Sequence, residues 1–207
     1  MKNKTDITIL LDRSGSMQTI RKDMMGAFKV FADDQRAIKH DECSLSLYQF
    51  DTEIEEKYKD LNIEQIPELE LEPRGGTALY DALEHVINKT GERLAALPES
   101  EKPARVVFVV ITDGGENSSK TATASKVKAM IQHQTDVYSW SFVYLGANQD
   151  AFEEGGKVGF GRGSTLNYQA TADGVQCAYA AVSSSVANFR RGESKSVMFE
   201  QEHTEKH

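Results

Sequence analysis

The sequence predicts an α/β fold: a doubly wound, mostly parallel central sheet with one antiparallel edge strand and helices on both faces. Three observations predict it. Short aliphatic runs alternate along the chain with longer stretches whose apolar residues recur at helical spacing. Residues 105–111, Arg-Val-Val-Phe-Val-Val-Ile, are almost wholly β-branched or aromatic, as befits a strand buried on both faces. The connection at Asp51-Thr52 is too short for a crossover, so one strand must turn back antiparallel.

Taken in order, residues 6–12 (Asp-Ile-Thr-Ile-Leu-Leu-Asp) form a first strand that stops at an acid and a Ser-Gly turn. Ile20, Met24, Ala27, Phe28 and Phe31 then mark a helix of about five turns whose apolar stripe covers the sheet. Residues 44–50 make the second strand and 53–58, alternating charged and apolar, an edge strand paired with it. Leu79, Leu83, Val86, Thr90, Leu94 and Leu97 keep helical spacing up to Pro98, ahead of the central strand at 105–111. A shorter helix over 122–132, a strand over 137–145 ending at Gly146, a short helix over 151–158 and a short strand over 164–168 follow. Val175, Tyr179, Val182, Val186 and Phe189 define a last helix. With no repeat and no low-complexity tract, the expected organisation is one domain over 1–191. A polar, mobile tail is expected over 192–207.

Composition narrows the function classes. The chain has 207 residues, enough for one α/β domain with a substantial core. Its 24 Lys+Arg against 32 Asp+Glu give a formal charge of -8, a field that repels phosphate backbones. Arg190 and Arg191 are the one basic cluster and read as a solvated helix C-terminus, so no nucleic-acid partner is expected. Cys43 and Cys177 lie far apart without zinc-ligand spacing and read as buried thiols. The histidines at 40, 85, 133, 203 and 207 show no metal spacing either and read as surface or tail groups. No secretory h-region and no run of about 18 apolar residues is present, so a cytoplasmic monomer without membrane contact is expected.

In a doubly wound sheet, ligands bind beyond the carboxyl ends of the strands. Three segments fall at that end: Asp12-Arg13-Ser14-Gly15-Ser16, Gly75-Gly76-Thr77, and Thr112-Asp113-Gly114. They offer the hydroxyls of Ser14, Ser16 and Thr77 and the carboxylates of Asp12 and Asp113. All five are hard oxygen donors, suited to Mg2+, with Mn2+ or Ca2+ as alternatives, rather than to zinc or copper. Gly15, Gly75 and Gly76 are expected to let the backbone turn sharply there.

Asp-x-Ser-Gly-Ser, a distant Thr after Gly-Gly, and a later Thr-Asp-Gly together resemble the metal-ion-dependent adhesion site of von Willebrand factor A domains. The order and spacing match over residues 6 to about 145. The resemblance implies Ser14, Ser16 and Thr77 as direct ligands when a partner is bound, with Asp12 and Asp113 acting largely through water. It also implies an open cation position that an Asp or Glu of a partner protein fills, and no catalysis. The chain is similar to small stand-alone bacterial or phage members, and the Leu-Gly-Ala-Asn-Gln-Asp run at 145–150 resembles bacterial ones. Intracellular relatives suggest an AAA+ ATPase or a component of a stress system such as tellurite resistance as the partner. No flanking cysteines stand ready to close the disulfide of the extracellular members, which speaks against matrix adhesion.

Two alternatives remain open in the residues. An Asp ending a first strand is also the nucleophile position of haloacid-dehalogenase-like phosphatases, which makes a magnesium-dependent phosphohydrolase conceivable, but those enzymes need a second acid where Ser14 stands. A structural subunit whose metal only stabilises loops is the other. Arg74, Tyr80, Glu116, Asn117 and Gln18 are candidate rim residues that choose a partner, and Asp81 either supports Thr77 or caps the following helix.

Overall fold

The computed structural model describes residues 3–147 and 151–199. Six strands form one sheet in the order β3-β2-β1-β4-β5-β6: β1 (Lys4–Asp12), β2 (Glu42–Phe50), β3 (Ile54–Asn62), β4 (Arg105–Thr112), β5 (Ser141–Ala147) and β6 (Thr165–Tyr168). All neighbours pair in parallel except β2 and β3. The helices are α1 (Arg21–Ala37), α2 (Leu79–Ala95), α3 (Ala124–Tyr138), α4 (Ala151–Lys157) and α5 (Ala172–Arg191).

Pleating sends alternate side chains of each strand to opposite faces, so a strand covered on both sides must be apolar throughout. Ile7, Ile9 and Leu11 of β1 join α1 and α5 in one core, and Leu10 joins α2, α3 and α4 in the other. Val107, Val109 and Ile111 of β4 divide from Phe108 and Val110 in the same way. The doubly wound, mostly parallel architecture with its antiparallel edge is therefore the observed one.

The chain leaves β1 toward β2 on one side, while β4 lies on the other, so the crevice at the carboxyl ends of β1 and β4 is the switch point. Residues 63–78 bring the third segment to it. Buried Ile63, Ile66, Leu69 and Leu71 fasten this long connection to the core before it emerges at Arg74 and Gly75.

Five expectations need correction. The third helix runs on to Tyr138 and the next strand begins only at Ser141, because Val137 and Tyr138, strand-like by propensity, continue the helix with 58% and 60% of their surface exposed. Ser139 in the left-handed region (φ 56°) ends it. The β2–β3 connection has three residues, not two, since Glu53 N donates to Asp51 Oδ1 at 2.7 Å before β3 begins. Arg190 is fully buried rather than solvated: its guanidinium pairs with Asp41 at 2.8 Å and donates to Gln35 O at 2.7 Å. Cys43 is buried but Cys177 is exposed.

The fifth correction concerns residues 193–199, which pack against the domain instead of forming a mobile tail. Val197 N donates to Ser141 Oγ, Phe199 N to Gly163 O, and the side chains of Val197 and Phe199 are buried in the α1/α5 core. Two apolar side chains at alternate positions supply the burial that the surrounding polar residues conceal in composition. Residues 200–207 and Asn148, Gln149 and Asp150 of the 145–150 run lie outside the described residues. His40, His85 and His133 are exposed, and among the described residues no helix is long and apolar enough to cross a membrane.

Candidate metal centre

Asp12 is the last residue of β1 and is completely buried. Its Oδ1 accepts Ser14 N at 2.6 Å, an Asx turn that folds the chain back over the strand end, and its Oδ2 accepts Thr112 Oγ1 at 2.6 Å from the end of β4. The two strands that flank the switch point are thereby tied at their tips. Ser14 Oγ lies 3.0 Å from Ser16 Oγ, and Ser16 Oγ donates to Asp113 Oδ1 at 2.6 Å. A Cβ added to Gly114 would lie 3.6 Å from Thr77 Oγ1 and 3.8 Å from Ser16 Oγ, so the third hydroxyl lies beside the same glycine as the second. All five predicted site residues are brought together. Asp12, Ser14, Thr77 and Asp113 are buried, and Ser16 stands at the solvent side.

The segment carrying Thr77 is stitched to both neighbours. Arg74 N donates to Arg13 O and Gly15 N to Gly75 O. Thr77 N donates to Asn117 Oδ1 at 2.9 Å, while Thr77 O accepts Asn117 N and Ser118 N. Of the glycines expected to shape these turns, Gly75 has the positive φ (68°) that a side chain resists. Gly76 is needed for close approach, since a Cβ there would meet Ser118 Oγ at 2.3 Å and Asn117 Oδ1 at 2.9 Å. Gly15 meets neither condition, its nearest contact being Gly75 O at 3.5 Å.

Asp81 neither touches Thr77 nor caps α2. Its carboxylate accepts Lys120 N, Thr121 N, Thr121 Oγ1 and Ala122 N, which clamps the loop after β4 onto the first turn of α2. Partial burial opposes ionisation, but these four hydrogen bonds outweigh it and hold the carboxyl down at about 2. The cap comes from the other direction, with Tyr80 N donating to Glu116 Oε2 and Asp81 N to Ser119 Oγ. Beside the site lies an ion-pair cluster joining Arg74, a predicted rim residue, to Arg13 and Asp51, whose pairing sequence reasoning did not find. Buried Asp51 accepts from Arg13 Nε at 2.9 Å and from Arg74 Nε at 2.8 Å, and Arg13 also pairs with Glu55. Their sequence separation leaves no local signal. Thr112 had one, since it opens the Thr-Asp-Gly motif.

Burial raises the Asp12 carboxyl to about 6, with the neighbouring Asp113 charge adding to the shift, and burial raises Asp113 as well. Two buried carboxylates side by side, both reluctant to ionise, are stabilised by a cation between them. Thr77, itself buried, adds a third hydroxyl oxygen beside them. Among the described residues no group of three His, Cys, Asp or Glu gathers as a metal site, so the donors here are the three hydroxyls and two carboxylates. This set of oxygen donors fits a divalent cation.

A sequence model of the von Willebrand factor type A domain matches residues 6–154. The chain belongs to this family. Solved structures share its fold at low identity. The mussel byssus proximal thread matrix protein 1 "with zinc occupied MIDAS motif" superposes with a TM-score of 0.65 and 16% identity, over 90% of this chain and 46% of that one. The von Willebrand factor type A protein of Catenulispora acidiphila gives 0.60 and 14%, over 89% and 43%. The pilus adhesin SpaC of Lactobacillus rhamnosus GG in its open conformation gives 0.67 and 13%, over 90% and 30%. The chain thus spans less than half the length of each. No curated protein matches it. VWA domains are metal-dependent adhesion and protein-interaction modules.

Proposed function

We propose that this VWA domain is a divalent-metal-dependent protein-binding module without catalytic activity. Ser14, Ser16 and Thr77 hold the ion directly, and Asp12 and Asp113 act largely through its waters. Mg2+ suits the site best, with Mn2+ or Ca2+ as substitutes. The observation that carries the reading is the gathering of the Ser14, Ser16 and Thr77 hydroxyls beside the two buried carboxylates of Asp12 and Asp113.

Neutral hydroxyls quench less of an ion's charge than direct carboxylates do, so a cation bound here supplies an electrophilic position open to an anionic ligand. Asp12 contributes at the second rank, fixing the Ser14 amide and Thr112 while its charge is felt across the site. The ligand that fits is an Asp or Glu side chain of a partner protein, with an AAA+ ATPase or a stress-system component as the partner that intracellular relatives suggest. In this reading the chain works as a cytoplasmic monomer and engages neither nucleic acid nor membrane.

The test is calorimetric titration with Mg2+, paired with partner capture in Mg2+ and in EDTA. The wild type should bind one equivalent of ion and retain a partner only with it. A Ser14→Ala/Thr77→Ala variant that binds ion and partner as well as the wild type would refute the proposal.

A further inference from the structure

The site as described supplies a cation for one oxygen of a partner carboxylate, but a carboxylate has two. The second keeps its lone pairs, and once a partner surface has excluded water it must find a donor or bear the cost of desolvation. The arginines of the two loops that form the site are committed elsewhere. Arg13 is buried against Asp51 and Glu55, and Arg74 is held by Asp51 and Glu53.

Asn117 is placed differently. Its side chain is solvent-exposed, yet its orientation is fixed. Thr77 N–H can only donate, and Ser118 Oγ–H converges on the same atom at 2.6 Å, so the carbonyl oxygen Oδ1 must face the Thr77 segment. The amide nitrogen Nδ2 consequently faces away from that segment, and its two N–H groups make no hydrogen bond among the described residues. The main chain beneath is equally constrained. Asn117 N donates to Thr77 O, and Glu116 accepts Ser118 N, Ser119 N and Ser119 Oγ while capping α2. Gly76 leaves the space in which Asn117 and Ser118 lie over the Thr77 segment.

Resting on the metal-dependent reading, we propose that Asn117 determines specificity for a carboxylate: Nδ2 donates to the ligand oxygen that the cation leaves free, while Oδ1 positions Thr77. One side chain would then do two separable things, and substitution can separate them. Asn117→Asp keeps an acceptor for Thr77 N and removes both donors. Asn117→Ala removes both functions.

The experiment measures Mg2+ binding alone, binding of the blocked peptide acetyl-Gly-Glu-Gly-amide at saturating Mg2+, and melting in EDTA for the wild type and both variants. Asn117→Asp keeps an acceptor for Thr77 N and adds a carboxylate beside the ion, so it is expected to bind Mg2+ more tightly than the wild type and to melt somewhat lower in EDTA. Its peptide affinity should fall by about tenfold or more, the effect of losing a hydrogen bond to a charged group. That loss should persist in molar salt, where the Debye length of about 3 Å screens the added charge. Asn117→Ala is expected to weaken ion and peptide together. Wild-type peptide affinity in Asn117→Asp, a loss that vanishes in molar salt, or unchanged Mg2+ affinity in Asn117→Ala would each overturn the proposal while leaving the metal site standing. A wild type that takes up no Mg2+ would overturn both readings.

Discussion

Asp12 is held at zero exposure by two hydrogen bonds and disfavoured in its charged form by burial, so in the absence of a cation it is a source of strain as well as order. Asp12→Asn should therefore melt in EDTA at the wild-type temperature or above. Its response to Mg2+ should disappear, whereas the wild type at 100 times Kd gains about 2.7 kcal/mol, or roughly 5 to 10 °C for a domain of this size. Scanning calorimetry with and without Mg2+ checks both halves, and a variant that still gains melting temperature with the ion would remove Asp12 from the site. At this scale the sequence was most readable. Asp12, Ser14, Ser16, Thr77 and Asp113 each sit at a strand end or helix start, where local pattern dictates position. The ion pairs of Arg13 and Arg74 with Asp51 were not readable, because they depend on how two distant loops meet.

At the scale of elements, pattern located the helices and strands but misjudged boundaries where propensity and context disagree. Val137 and Tyr138 show this at the end of α3, and Val197 and Phe199 show it beyond α5. Phe199→Ala should cost about 3 kcal/mol or more if that side chain is core, as large-to-small changes of buried aromatics do, and urea denaturation reads it directly. A variant as stable as the wild type would return residues 193–199 to the status of a tail. The Asp81 clamp makes a separate prediction in acid. Its carboxyl is lowered from 3.8 to about 2 in the folded state, so its stabilisation is complete above the unfolded value and is lost as pH falls from 3.8 through about 2. Asp81→Ala should be less stable at neutral pH and should lose correspondingly less than the wild type across that window. Equal slopes of stability against pH in the two proteins would mean that the clamp does not couple the β4 loop to α2.

At the scale of the whole molecule, the charge of -8 and an acidic ligand are in conflict, and the metal-dependent reading resolves it by distance. Repulsion between the protein's net charge and an approaching carboxylate acts over the Debye length, about 10 Å at 0.1 M salt. Contact between ligand oxygen and cation, and any hydrogen bond beside it, forms at van der Waals range and is screened far less. With Mg2+ kept saturating, raising the salt should therefore speed association with an acidic peptide while leaving its dissociation rate nearly unchanged. A protein that captures acids through a basic surface behaves oppositely, because salt weakens the attraction that steers its ligand. Stopped-flow association of a fluorescent glutamate-containing peptide across a salt series measures the sign. An association rate that falls with salt would mean that a positive patch, rather than a bound ion, draws the ligand in.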